Sequence, residues 1–118
     1  MNHVTDIANQ ILGMNEALQK MRAEIRGRSL RKSTAISNYD KALAITIIKL
    51  RNGIEIEFEG EKVKDPPTTI MEKIAKGIIW KERLEMEEAD SEYKSLITNI
   101  ETVKAELNGL QSINRHLE

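Results

Sequence analysis

VTDIANQILGMNEALQKMRAEI, residues 4–25, is the stretch that decides the fold. Its apolar side chains fall at Val4, Ile7, Ile11, Met14, Leu18, Met21 and Ile25, in a 3-4-3-4-3-4 spacing. An α-helix turns once every ~3.6 residues, so this spacing lays all of them on one narrow stripe, as in a coiled coil or a helix packed within a bundle. Gly13 sits inside the stripe and costs about 1 kcal/mol relative to Ala, which makes packing from outside more necessary.

Working outward, the pattern stops after Gly27. Arg28-Ser-Leu-Arg-Lys-Ser33 is polar and reads as a connector between a first helix over about 4–27 and a second over about 35–52. The second helix carries Ile36, Tyr39, Leu43, Ile47 and Leu50 on one face, and Ala42, Ala44, Ile45 and Ile48 widen the apolar surface almost all round. That pattern predicts the most buried helix of the protein. The pair Asn52-Gly53 supplies a stop, because glycine accepts the left-handed backbone that closes many helices.

The period then changes from about 3.6 to 2. Ile54-Glu-Ile-Glu-Phe58 alternates strictly, Glu59-Gly60 can turn, and Glu61-Lys-Val-Lys64 can return, which predicts a β-hairpin over about 54–64. With Glu59-Gly60 as a two-residue loop, Phe58 faces Glu61 and Ile56 faces Val63, leaving an apolar face that needs a cover.

Asp65-Pro-Pro67 excludes helix up to that point, and Thr69 with Glu72 has the form of a capping box. A long helix over about 69–116 is expected from there, with Ile70, Ile74 and Ile78 first, and then a second heptad stripe at Met86, Ala89, Tyr93, Leu96, Ile100, Val103, Leu107, Leu110 and Leu117. Asn114 is the polar member of that frame, either a register-fixing core residue or part of a frayed end. Such a helix outruns what the second helix alone can cover, so part of it is expected to need another chain. Ala89-Asp-Ser91 is the place where a new helix start would fit instead.

The fold class that follows is mainly α. It is a bundle of coiled-coil helices with one short β-hairpin between helix 2 and a long C-terminal helix, in a single domain over residues 1–118. Composition agrees: of 118 residues, 40% are hydrophobic and 31% charged, a mixture that folds, while only 3% are aromatic, so Ile, Leu, Met and Val must fill the core. The absence of cysteine removes disulfides and thiolate metal sites. The longest apolar run, Ala42 to Ile48, is interrupted by Thr46 and falls far short of the roughly 20 residues of a membrane span. With no apolar signal core at the N-terminus, the reading is cytoplasmic, with no membrane partner.

A net charge of −1 gives no global field, so any pull on an anion must be local. Lys20, Arg22, Arg26, Arg28, Arg31 and Lys32 form the one basic cluster, interrupted by Glu24. It is either the solvated flank of the first helix and its connector or a nucleic-acid surface contacting the phosphate backbone, since no aromatic is interleaved to stack on bases. A small phosphorylated ligand at Arg28, Arg31 and the amides near Gly27 and Ser29 is a weaker version of the same chemistry. Opposite in sign are Glu82, Glu85, Glu87, Glu88, Asp90 and Glu92, and the hairpin acids Glu55, Glu57, Glu59 and Glu61. These read as solvated faces, or as a zone that meets the basic one across a subunit contact or mimics phosphates for a basic partner.

No catalytic, cofactor or metal site is expected. His3 and His116 lie at opposite ends, and there is no thiol, Gly-rich phosphate loop or His-x-x-x-His pair. Trp80, Tyr93 and Phe58 are the partner-binding candidates, because large aromatics dominate interface hot spots. The alternative for Trp80 is a core position under the hairpin.

Leu50-Arg-Asn-Gly53, Asp65-Pro-Pro67, Glu72-Lys-Ile-Ala-Lys-Gly77 and Leu107-Asn-Gly-Leu-Gln-Ser-Ile-Asn-Arg115 give the chain from Tyr39 onward a resemblance to small proteins encoded by phages and prophages of Gram-positive bacteria. The resemblance carries no residue of assigned role. It implies an accessory protein acting on host machinery, host defence or phage DNA metabolism inside a bacterium. The expectation is therefore a non-enzymatic protein that forms homo-oligomers through its heptad helices and binds or inhibits a bacterial protein. The alternative is a phosphate-contacting accessory protein of phage DNA metabolism.

Overall fold

The computed structural model describes residues 3–117. In chain order it contains α1 (His3–Arg51), β1 (Ile56–Phe58), β2 (Glu61–Val63), α2 (Thr68–Ile78) and α3 (Trp80–Leu117). The chain divides into two compact units, one of Met1–Leu30 with Ser91–Glu118 and one of Arg31–Asp90. Both long helices, α1 and α3, contribute to each unit.

In the first unit the two heptad stripes find each other. Leu18, Leu96, Ile100 and Leu107 are buried, with Ile11, Met14, Met21, Ile25 and Val103 packed around them. The helices run antiparallel: Arg28 reaches Glu92 at one end, and Ile11 lines a pocket with Gln111, Asn114 and Arg115 at the other. Part of the C-terminal stripe is expected to need another chain; from Leu96 to Leu107 it is instead covered by the N-terminal stripe. Two stripes of equal 3-4 spacing present matching seams, so knobs of one helix enter holes of the other without a second copy. Each fully buried Leu or Ile contributes about 1.5–3 kcal/mol of apolar transfer.

The expected connector at 28–33 is helical, and α1 is one helix of 49 residues. From Ile25 the 3-4 spacing continues unbroken through positions 28, 32, 35, 39, 42 and 46, but these carry Arg, Lys, Ala, Tyr, Ala and Thr. The register persists while the hydrophobic signal fades. Arg and Lys are good helix formers, and one isolated glycine, Gly27, costs only about 1 kcal/mol, so nothing in the segment ends the helix. Ala35 and Thr46 are buried in this register.

In the second unit Leu50, fully buried, forms a core with Met71 and Ala75, against which Leu43, Ile47, Ile56, Val63, Ile74 and Ile78 pack. The hairpin is thus covered through Ile56 and Val63. Its register pairs Ile56 with Val63, Glu57 with Lys62 and Phe58 with Glu61, as the alternation and a two-residue loop require. Glu59 (φ 51°) and Gly60 (φ 79°) both have positive φ, the requirement of a type I′ turn. The helix expected over 35–52 is less enclosed than its composition suggests, because Ile45 and Ile48 stay exposed on the side away from the core.

Gly53, at φ 72°, closes α1 as foreseen. The Ile54 N–H donates to the Lys49 carbonyl at 3.0 Å and the Gly53 N–H to the Leu50 carbonyl at 3.2 Å, the two bonds of a Schellman motif. Two expectations fail at the other helix ends. The Thr69 capping box does not form: α2 starts at Thr68 with Pro67 as cap and no side-chain capping bond, and Glu72 pairs with Lys76 at 3.2 Å instead. The long helix is also not continuous, and it breaks at Ile79 rather than at Ala89-Asp-Ser91. Ile79 has ψ 32°, against about −42° in a helix. Gly77, a poor helix former, followed by the β-branched pair Ile78-Ile79, weakens the helix there, and the buried Ile79 side chain holds the break in place.

Candidate interaction surfaces

The basic cluster lies along α1, and half of it is committed to carboxylates of the same chain. In the first unit, Arg28 sits 3.7 Å from Glu24 and 3.7 Å from Glu92. In the second, Arg31 donates to Glu85 at 2.9 Å and Lys32 lies 3.0 Å from Asp90. Glu85, Asp90 and Glu92 of the acidic zone therefore meet the basic cluster within the chain. All these pairs are partly solvated, so each is worth about 0–1 kcal/mol, and their clearer role is to fix how α1 and α3 align within each unit. Only Lys20, Arg22 and Arg26 of the cluster are fully on the surface, where a phosphate backbone could reach them.

The aromatic candidates divide between the units. Tyr93 is half-buried in α3 of the first unit. Phe58 is half-buried on β1 of the second, opposite Glu61. Trp80 opens α3 and is 44% exposed, so it is not the core residue under the hairpin that its apolar neighbours allowed. The Lys81 Nζ lies 5.7 Å from the Trp80 ring centroid, in cation–π range.

One turn after Trp80 comes Leu84, 46% exposed, on the same helical face. Leu84 is out of phase with the stripe that begins at Met86, and that phase was the available signal for an outward apolar position. Ile45 (43% exposed) and Ile48 (58% exposed) form a second outward pair near the end of α1, between Lys41 and Lys49.

Asn114 belongs to the ordered α3 helix, half-buried, and with Ile11, Gln111 and Arg115 it lines an open pocket of about 570 Å³ in the first unit. The Arg115 Nε bonds the Gln111 carbonyl at 3.5 Å, so its guanidinium is held along its own helix. His116 is exposed in the last turn of α3, and the His3 side chain lies outside the described residues. Among the described residues no three His, Asp or Glu side chains stand close enough to hold a metal ion, and no helix is long and apolar enough to cross a membrane.

No protein-family model matches the chain, and no curated protein or solved structure matches it either.

Proposed function

We propose that the chain is a non-enzymatic interaction protein, one that associates with copies of itself and binds a second protein through apolar side chains left outside its two cores. The observation that supports this most is the second unit's surface. In a chain with a single tryptophan, that residue and Leu84, Ile45 and Ile48 stay solvent-exposed while smaller residues such as Ala35, Ala75 and Ala89 are buried. Exposed Trp beside aliphatic and charged neighbours is the composition of binding hot spots. The resemblance to phage and prophage proteins supplies the setting, a bacterial cytoplasm with a host protein, of defence or other machinery, as the one bound or inhibited.

The test is affinity capture from a Gram-positive lysate with quantitative mass spectrometry, comparing wild type with Trp80→Ala and with Ile45→Ser/Ile48→Ser. The expected outcome is a protein enriched by wild type and lost with one of the variants, each variant keeping wild-type helicity. Identical recovery from all three baits, or no enrichment over an unrelated coiled coil, would count against the reading.

A further inference from the structure

We infer that the outward face of α3 around Leu84 is a docking surface for a second copy of this chain, arranged antiparallel about a two-fold axis; the inference rests on the interaction-protein reading above. The charges of the first turns of α3 narrow the choice of occupant. Arg83 is paired with Glu87 at 3.2 Å, and Glu85 and Asp90 are paired with Arg31 and Lys32. Besides Glu82, which lies off the Leu84 side of the helix, two exposed residues take part in no ion pair among the described residues: Glu88, and Lys81, which only overhangs Trp80.

Those two residues bracket Leu84. Lys81 precedes it by three positions and Glu88 follows it by four, so the three share one stripe of the helix, with Trp80 beside them. The stripe is basic at one end, acidic at the other and apolar at its centre, and its antiparallel mirror has the opposite order. In an isologous contact, where residue i meets j and j meets i, Leu84 packs on its own copy while each Lys81 meets the other chain's Glu88. A parallel or head-to-tail arrangement would set like charges against each other or leave one pair unmet. Because the apolar centre consists of two partly exposed side chains per copy, the contact falls below the ~1,200 Å² of a stable interface, and association is weak and concentration-dependent.

The charges make the test self-controlled. Sedimentation equilibrium of the full chain, up to about 1 mM, should show a monomer–dimer equilibrium. Lys81→Glu and Glu88→Lys should each weaken it by about tenfold, since each reversal acts in both symmetry-related pairs. The double variant should recover the wild-type constant, and so should an equimolar mixture of the two single variants. Both positions are exposed, so unchanged helicity separates these effects from misfolding.

A strict monomer throughout that range overturns the inference, as does association that all variants retain. Failure of the double variant to recover overturns the antiparallel charge pairing. Capture of a lysate protein that is lost with Trp80→Ala, from a chain that stays monomeric, would assign this face to a different partner and overturn the second-copy occupant together with the self-association half of the reading above, while leaving its second-protein half standing.

Discussion

Replacing Gly53 by Ala and Gly13 by Ala is the same chemical change, yet the structure gives the two opposite signs. Gly53 has φ 72°, and a Cβ built on it lies 3.2 Å from the Asp65 Oδ1. A left-handed backbone costs a non-glycine residue about 1–2 kcal/mol. The Asp65 carboxylate, at the end of an exposed side chain, has only to give by a few tenths of an ångström, so the cost is mainly that of the backbone. The expected loss for Gly53→Ala is therefore about 1–3 kcal/mol, or a drop of roughly 4 °C in Tm per kcal/mol. Gly13 lies within α1 and a Cβ there meets nothing within 4 Å, so Gly13→Ala should gain up to about 1 kcal/mol. Thermal and urea unfolding followed by circular dichroism would measure both. A neutral Gly53→Ala would contradict the left-handed helix end at Gly53, and a Gly13→Ala that destabilises would contradict the helical course of α1 through residue 13.

Further outcomes follow from the cores, the turn and the charges. Leu18→Ala and Leu50→Ala, one in each core, should each cost about 2–5 kcal/mol in urea unfolding, while exposed Leu12→Ala should stay within about 0.5 kcal/mol. Glu59→Asn places a residue that tolerates positive φ at the turn position with φ 51° and should stabilise by about 0.5–1 kcal/mol; a loss of stability would contradict the type I′ assignment. With Arg28, Arg31 and Lys32 occupied by carboxylates, binding of duplex DNA through this cluster should show a slope of log K against log salt no steeper than about −3, the value for Lys20, Arg22 and Arg26 alone. A fluorescence anisotropy titration giving a slope near −5 would mean that the ion pairs open to admit phosphate.

Where side chains repeat with a regular apolar period, the sequence was a good guide. The stripe from Ile11 to Ile25 and the run from Leu96 to Leu107 are the first unit's core, and the alternation from Ile54 to Phe58 fixed the hairpin register. The period, however, names a face and not what covers it, so the match between the two stripes was missed. Arg28 and Lys32 hid the continuity of α1, because they hold core-register positions with charge instead of hydrocarbon. Their long aliphatic stems can lie along the seam while the heads reach Glu92 and Asp90. The break at Ile79 had only Gly77 and a β-branched pair to announce it, and such residues sit inside unbroken helices too. Of the candidate surface, Trp80 stands out in the sequence by its residue type, whereas Leu84 is set apart only by the buried side of α3. The pairing that reduces the basic cluster to three exposed cations depends on tertiary alignment, which no local pattern encodes.

In the first unit the two heptad stripes cover each other within one chain. Methyl NOE spectra, recorded on uniformly labelled protein and on a filtered mixture of labelled and unlabelled chains, test this directly. Methyl contacts between the two helices within the cluster of Leu18, Leu96, Ile100 and Leu107 are expected to persist on dilution and to vanish in the interchain-filtered spectrum. Appearance of those same contacts in the filtered spectrum, with loss on dilution, would show that the stripes are joined between chains and would contradict their cover within one chain.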